Sequence, residues 1–280
     1  MKTRFIVLID FSSYSKFELQ LAKCWGDAMG ADLLLLHQPL VFAPALTDIE
    51  TRDEIVQNEV EKATAKLRSF AGQHLENTSR VTYRVATEDL FLALLELLRE
   101  HYYNLIFVGL KGTGLLKRIF LGSTAIKVID QVNVPTVAVP RHPFNMSPES
   151  FYVGVNYRYP LNTEALDKLL SLFGDRIKNI KFISIITEKD SRKLAIEYLE
   201  ELEEQYGTQW NASYHTFEGD DAFYELKQYM NARTDGVLLV QRGTRSLTDQ
   251  LFRRFFINEL VYDASVPLIV LPSWLSPNSL

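Results

Sequence analysis

The chain has 280 residues, 47% of them hydrophobic and 23% charged, with a net charge of −5. That length predicts two domains of ordinary size. The apolar content excludes a disordered chain, and the acidic balance argues against a general nucleic-acid binder, which would carry a basic face. The single cysteine, Cys24, excludes an internal disulfide, and the expectation for it is a small buried hydrophobe on a helix.

Residues 5–9 form an unbroken apolar run, as in the centre of a parallel sheet. The run is too short for a signal-peptide core, and no stretch approaches the length of a membrane span, so a cytoplasmic protein is expected. Asp10 ends that strand. Ser12 and Ser13 then offer caps for a helix over about 14–29, which Gly30 stops. A strand over 33–36 runs into His37 and Gln38, and a connection with two prolines follows. A helix over about 49–75 buries one stripe containing Ile55, Val60, Ala63, Leu67 and Phe70. A strand over 81–85, a helix capped by Asp89 and a strand over 105–108 come next. Ser123 or Thr124 then caps an amphipathic helix, and a strand over 136–139 closes the unit.

Residues 141–150 contain two prolines and small polar residues and read as a linker. After it the pattern restarts, with strands over 151–155, 180–186, 210–217, 237–240 and 268–271. Helices over about 162–173 and 190–206, and from Asp220 or Asp221 to about Ala232, lie between the strands. Val108 and Val240, Val134 and Val266, Pro135 and Pro267, and Pro140 and Pro272 share one 132-residue spacing, so the chain reads as an internal repeat. Strands alternating with helices predict an α/β protein: two doubly wound parallel sheets in tandem, over 1–141 and 150–280.

Ligands of open α/β sheets sit at the carboxyl ends of strands. At one such end stand Gly109, Lys111, Gly112 and, farther on, Gly122, Ser123 and Thr124. Glycine lets backbone approach a ligand closely. A helix start with free amides favours an anion, and Lys111, Lys117 and Arg118 add positive charge. The set makes a phosphate cradle, although strand-end glycines and a serine cap also occur in turns that bind nothing. It is neither a Walker loop nor a dinucleotide fingerprint.

Gly109-x-x-Gly112, nine residues, then Gly122-Ser123 resembles the ATP-binding signature of the universal stress protein family, and the segment after it, Val134 to Pro140, is similar too. The resemblance implies two five-stranded sheets of order 3-2-1-4-5, of the adenine nucleotide alpha hydrolase type. It implies ATP as ligand, with Mg²⁺ allowed by the motif but not demanded by it. Asp10 and Gln38 would lie at the adenine end, Val108 against base or sugar, and Gly109, Gly112, Gly122, Ser123 and Thr124 along ribose and phosphates, with Lys111 a weaker charge contact. A capping role for Asp10 is the alternative. The implied function is regulatory nucleotide binding in a stress response without efficient turnover. A slow ATP hydrolase and a nucleotide-independent scaffold are the competing readings, and a flavodoxin-like carrier is a third from fold alone.

In the 132-residue register Gly109, Gly112, Gly122 and Ser123 become Gln241, Thr244, Arg254 and Phe255, whereas Asp10 is answered by Asn156, 146 residues on, across a shorter middle segment. The second repeat is therefore expected not to bind ATP in the family's manner. Arg242, Arg245, Arg253 and Arg254 read as a solvated or salt-bridged surface, with an anion site as the alternative. The final strands of the two repeats, 136–139 and 268–271, are expected to pair within the chain as a pseudo-dimer, as they do between subunits of family dimers, and a homodimer of whole chains is open.

Overall fold

A computed structural model describes residues 1–41, 48–109, 123–140, 145–242 and 266–274, with the side chains of 123–126 excepted. The chain divides into two compact units, Met1–Val108 and Gly109–Leu280.

The first unit holds β1 (Lys2–Leu8), α1 (Ser15–Met29), β2 (Asp32–His37), α2 (Ile49–His74), β3 (Val81–Val85), α3 (Leu90–Leu98) and nearly all of β4 (Tyr102–Gly109). Its strands lie in the order β3-β2-β1-β4 and every pair is parallel, with Phe5 beside Leu33 on one side and Leu105 on the other. β1 starts three residues earlier than its apolar run, because the ladder to β4 continues through Lys2, Thr3 and Arg4. Arg4 is 5% exposed. It donates to Asn104 Oδ1, Glu100 Oε2 and the Leu97 carbonyl, which ties the end of α3 to the sheet. Gly30 ends α1 in the left-handed region, φ 70°, where a side chain would be strained. Cys24, on the same helix, is half-buried rather than buried.

The second unit begins with α4 (Ser123–Gln131) and β5 (Thr136–Val139). β6 (Ser150–Gly154), α5 (Thr163–Phe173), a 3-10 turn (Gly174–Arg176), β7 (Asn179–Ile186) and α6 (Arg192–Gly207) follow. β8 (Asn211–Glu218), α7 (Ala222–Asn231), β9 (Gly236–Gln241) and β10 (Leu268–Leu271) complete it. Its strands β10-β9-β6-β7-β8 are mutually parallel, which is the order 3-2-1-4-5 counted from β6. β5 joins β10 antiparallel, with Ile269 opposite Val137, so the equivalent last strands of the two repeats do pair. That pairing is why the compact-unit division falls before β5 rather than in the 141–150 segment, and it makes the sheet of this unit mixed rather than wholly parallel.

Gly236 opens β9 where it meets β6. A Cβ there would stand 2.7 Å from the Ser150 carbonyl oxygen and closer still to the Tyr152 ring. Backbone cannot yield as a flexible side chain does, so Gly236→Ala is expected to destabilise the fold by about 2 kcal/mol or more. Urea unfolding checks this, and an unchanged midpoint would refute it.

Candidate functional site

The carboxyl ends of β1, β2 and β4 converge in the first unit. Val7 pairs with Phe107 and Leu8 with Leu36, which brings Asp10, His37 and Val108 to one edge of the sheet. Asp10 Oδ1 accepts from the Ser12 amide and the Ser15 hydroxyl, both at 2.8 Å. This is a turn clamped by the carboxylate, and it leaves Tyr14 as the N-cap of α1 with no side-chain cap bond. Asn156 makes the same local bond in the second repeat, its Oδ1 accepting from the Arg158 amide at 2.9 Å. The turn-forming role of this position is thus common to both repeats, while the charge belongs to Asp10 alone.

Phe11 adopts φ 58°, which is unusual for a residue with a side chain. Its ring packs edgewise on His37 and Phe70, and Lys66 Nζ lies 4.0 Å from its centroid. His37 Nδ1 is 2.7 Å from the Ile9 carbonyl, which makes it the donor to the residue that follows β1. Burial lowers the His37 pKa, the bond to Ile9 opposes that, nearby Lys66 lowers it further and Asp10 raises it. Gln38 donates from Nε2 to the Glu88 carbonyl at 2.7 Å, so its amide also braces the turn before α3. Val108 is buried, 2% exposed, and Gly109 ends β4 with no side chain.

Lys111, Gly112 and Gly122 lie outside the described residues, as do the side chains of Ser123 and Thr124. The backbone of Ser123 and Thr124 forms the first turn of α4, where a helix offers free amides.

One acidic group here was not legible as such. Glu18 is 2% exposed, and its Oε2 has no hydrogen-bond partner among the described residues. Burial pushes its pKa well above the usual 4.5, and the Asp10 charge adds to the effect. Ser15, Glu18, Ala22 and Trp25 recur at helical spacing on the buried face of α1. That spacing was the available signal, masked by the habit of placing glutamate outside. A group whose folded pKa is raised contributes its stability fully below the unfolded value and loses it as pH rises toward the folded one. Glu18→Gln is therefore expected to remove a decline in stability that begins near pH 4.5. The advantage of the variant should widen as pH rises, and parallel pH-stability curves would refute the assignment.

In the second repeat the corresponding strand end is filled. Gln241 closes β9 where Gly109 closes β4. Its Oε1 accepts from the Asn162 amide, and its Nε2 donates to the Pro160 carbonyl at 3.2 Å. Asn162 caps α5 through Ala165 and also donates to the Pro272 carbonyl. Trp274 Nε1 donates to the Leu161 carbonyl at 3.0 Å. Among the described residues, side chains thus join the ends of β9 and β10 to the segment before α5. Arg242 corrects the surface reading made from sequence. It is 6% exposed, and its Nη1 donates to the carbonyls of Asp130 and Val132 at 3.0 and 2.8 Å, with Ile129 at 3.4 Å. It closes the C-terminus of α4. Thr244, Arg245, Arg253, Arg254 and Phe255 lie outside the described residues.

Among the described residues, no group of three His, Cys, Asp or Glu could hold a metal, and no helix is long and apolar enough to cross a membrane.

The model of the universal stress protein family matches residues 1–140. A universal stress protein from Archaeoglobus fulgidus DSM 4304 superposes with a TM-score of 0.67 at 16% identity, covering 96% of this chain and 98% of that one. A functionally unknown protein from Pseudomonas aeruginosa PAO1 gives 0.62 at 14% identity over 97% and 93%. At such identities the likeness is one of fold, and it spans both repeats. No curated protein matches the chain by sequence.

Proposed function

This chain belongs to the universal stress protein family, and from that premise we propose that it is a regulatory protein of the stress response that binds one ATP, in its first repeat. The two repeats, 1–141 and 150–280, have divided their roles, the second serving as a structural partner without a nucleotide. The observation that carries the reading is the contrast between the two equivalent strand ends: β4 closes on bare Gly109, whereas β9 closes on Gln241 bonded to Asn162 and Pro160.

The residues present fit an adenine nucleotide. Asp10 supplies negative charge at the end of β1 and Gln38 an amide at the end of β2, suited to an adenine amino group or a ribose hydroxyl. Val108, at the end of β4, would lie against base or sugar, and Gly109 after it carries no side chain. Gly112, Gly122, Ser123 and Thr124, with the first amides of α4, would hold the phosphates, and Lys111 would neutralise them. Mg²⁺ would accompany the triphosphate through its own oxygens. The work of these residues is binding and orientation. The family's cytoplasmic setting, with cellular ATP, is the expected one.

Calorimetric titration with ATP tests this. Saturable binding at one nucleotide per chain, with negligible phosphate release over hours, is expected. No binding at millimolar ATP would support the scaffold reading, and steady turnover the hydrolase.

A further inference from the structure

β8 ends the strand order of the second unit, and among the described residues no strand pairs with its outer side. The Asn211 amide donates to the Lys178 carbonyl, which sets the phase of the ladder to β7. Alternate residues therefore face β7, and Tyr214, Thr216 and Glu218 turn their backbone groups outward. Soluble proteins blunt such an edge with lysine, proline, a bulge or brevity. β8 has none of these: it reads NASYHTFE, eight residues with one charge, Glu218, which Arg192 already engages. The other edge strand in the chain order, β3, is five residues long and carries Arg84, bound by Glu88 and Glu96. The two helices packed on β8 also expose apolar side chains, Leu194 on α6 (50%) and Tyr224 on α7 (64%).

We propose that β8 is a homodimerisation edge, pairing antiparallel with β8 of a second copy of this chain about a two-fold axis at His215. Outward-facing residues must pair with outward-facing residues, so the symmetric register about His215 sets Tyr214 against Thr216 and Ser213 against Phe217, and the Ala212 amide, already bonded to the Trp210 carbonyl, ends the ladder. No like charges meet. Only His215 faces itself, and an unprotonated imidazole tolerates that. The self-complementarity of the strand selects a second copy as the occupant rather than an unrelated peptide.

The same dyad supplies the test. Lys181 and Arg233 exert a positive potential at His215, which Glu225 opposes. A carboxylate at this exposed position suits the single chain but meets its own copy across the axis. Sedimentation velocity of the full chain at about 1 to 100 µM, with hydrogen exchange on β8, reads the outcome. Wild type and His215→Gln are expected to dimerise, with the Tyr214 and Thr216 amides gaining protection as concentration rises. His215→Glu should weaken the dimer about tenfold or more while its circular dichroism stays unchanged. A monomer throughout would overturn the proposal. So would a dimer as tight in the Glu variant, or one that leaves those amides unprotected.

Discussion

Arg242→Met is expected to lower unfolding stability by about 3 kcal/mol, because it strips a charged donor from two or three buried carbonyls at once. Those bonds satisfy carbonyls at the C-terminus of α4, and their loss also removes a cation from the negative end of its dipole. The Nη1 distances of 2.8 and 3.0 Å to Val132 and Asp130 make these full hydrogen bonds. Arg242→Lys should recover only part of the loss, since one ammonium cannot reproduce the planar fork. Urea unfolding would show a lower midpoint with an unchanged slope. A loss below about 1 kcal/mol would mean that the carbonyls find other partners.

Gly122→Val is expected to reduce ATP affinity by about 100-fold or more, the cost of one or two lost hydrogen bonds to charged phosphate. On the proposed reading the backbone at this position approaches the phosphates, and a branched Cβ would hold it away from the anion. Stability should barely change, and that separates a binding defect from a folding one. Calorimetry at matched circular dichroism checks both. Wild-type affinity in the variant would remove Gly122 from the site.

The sequence carries the β-α alternation and the repeat because apolar runs and glycine or proline stops are local signals. β5 and β10 were placed to the residue, since both are short and wholly buried. β1 and β8 were misjudged at their ends, because ladders continue through polar residues that hydropathy does not mark. Arg242 was misplaced for one physical reason. Burial of a charged side chain is decided by distant partners, as with the α4 carbonyls that receive Arg242, and no periodicity records them. The turn role of Asp10 was legible as an alternative, but its bond to Ser15 was not, since Ser12 and Ser13 looked like the caps. The plug at the second strand end was half legible: the change from Gly109 to Gln241 is written in the repeat register, whereas its bonds to Asn162 and Pro160 depend on the fold.

The central claim is one adenine nucleotide per chain, held by the first repeat. Its most direct test is mass spectrometry of the small molecules released when the purified, ATP-equilibrated chain is denatured. The account predicts one adenylate per chain in the wild type and almost none in Gly122→Val. Two per chain, or an equal yield from the variant, would contradict it.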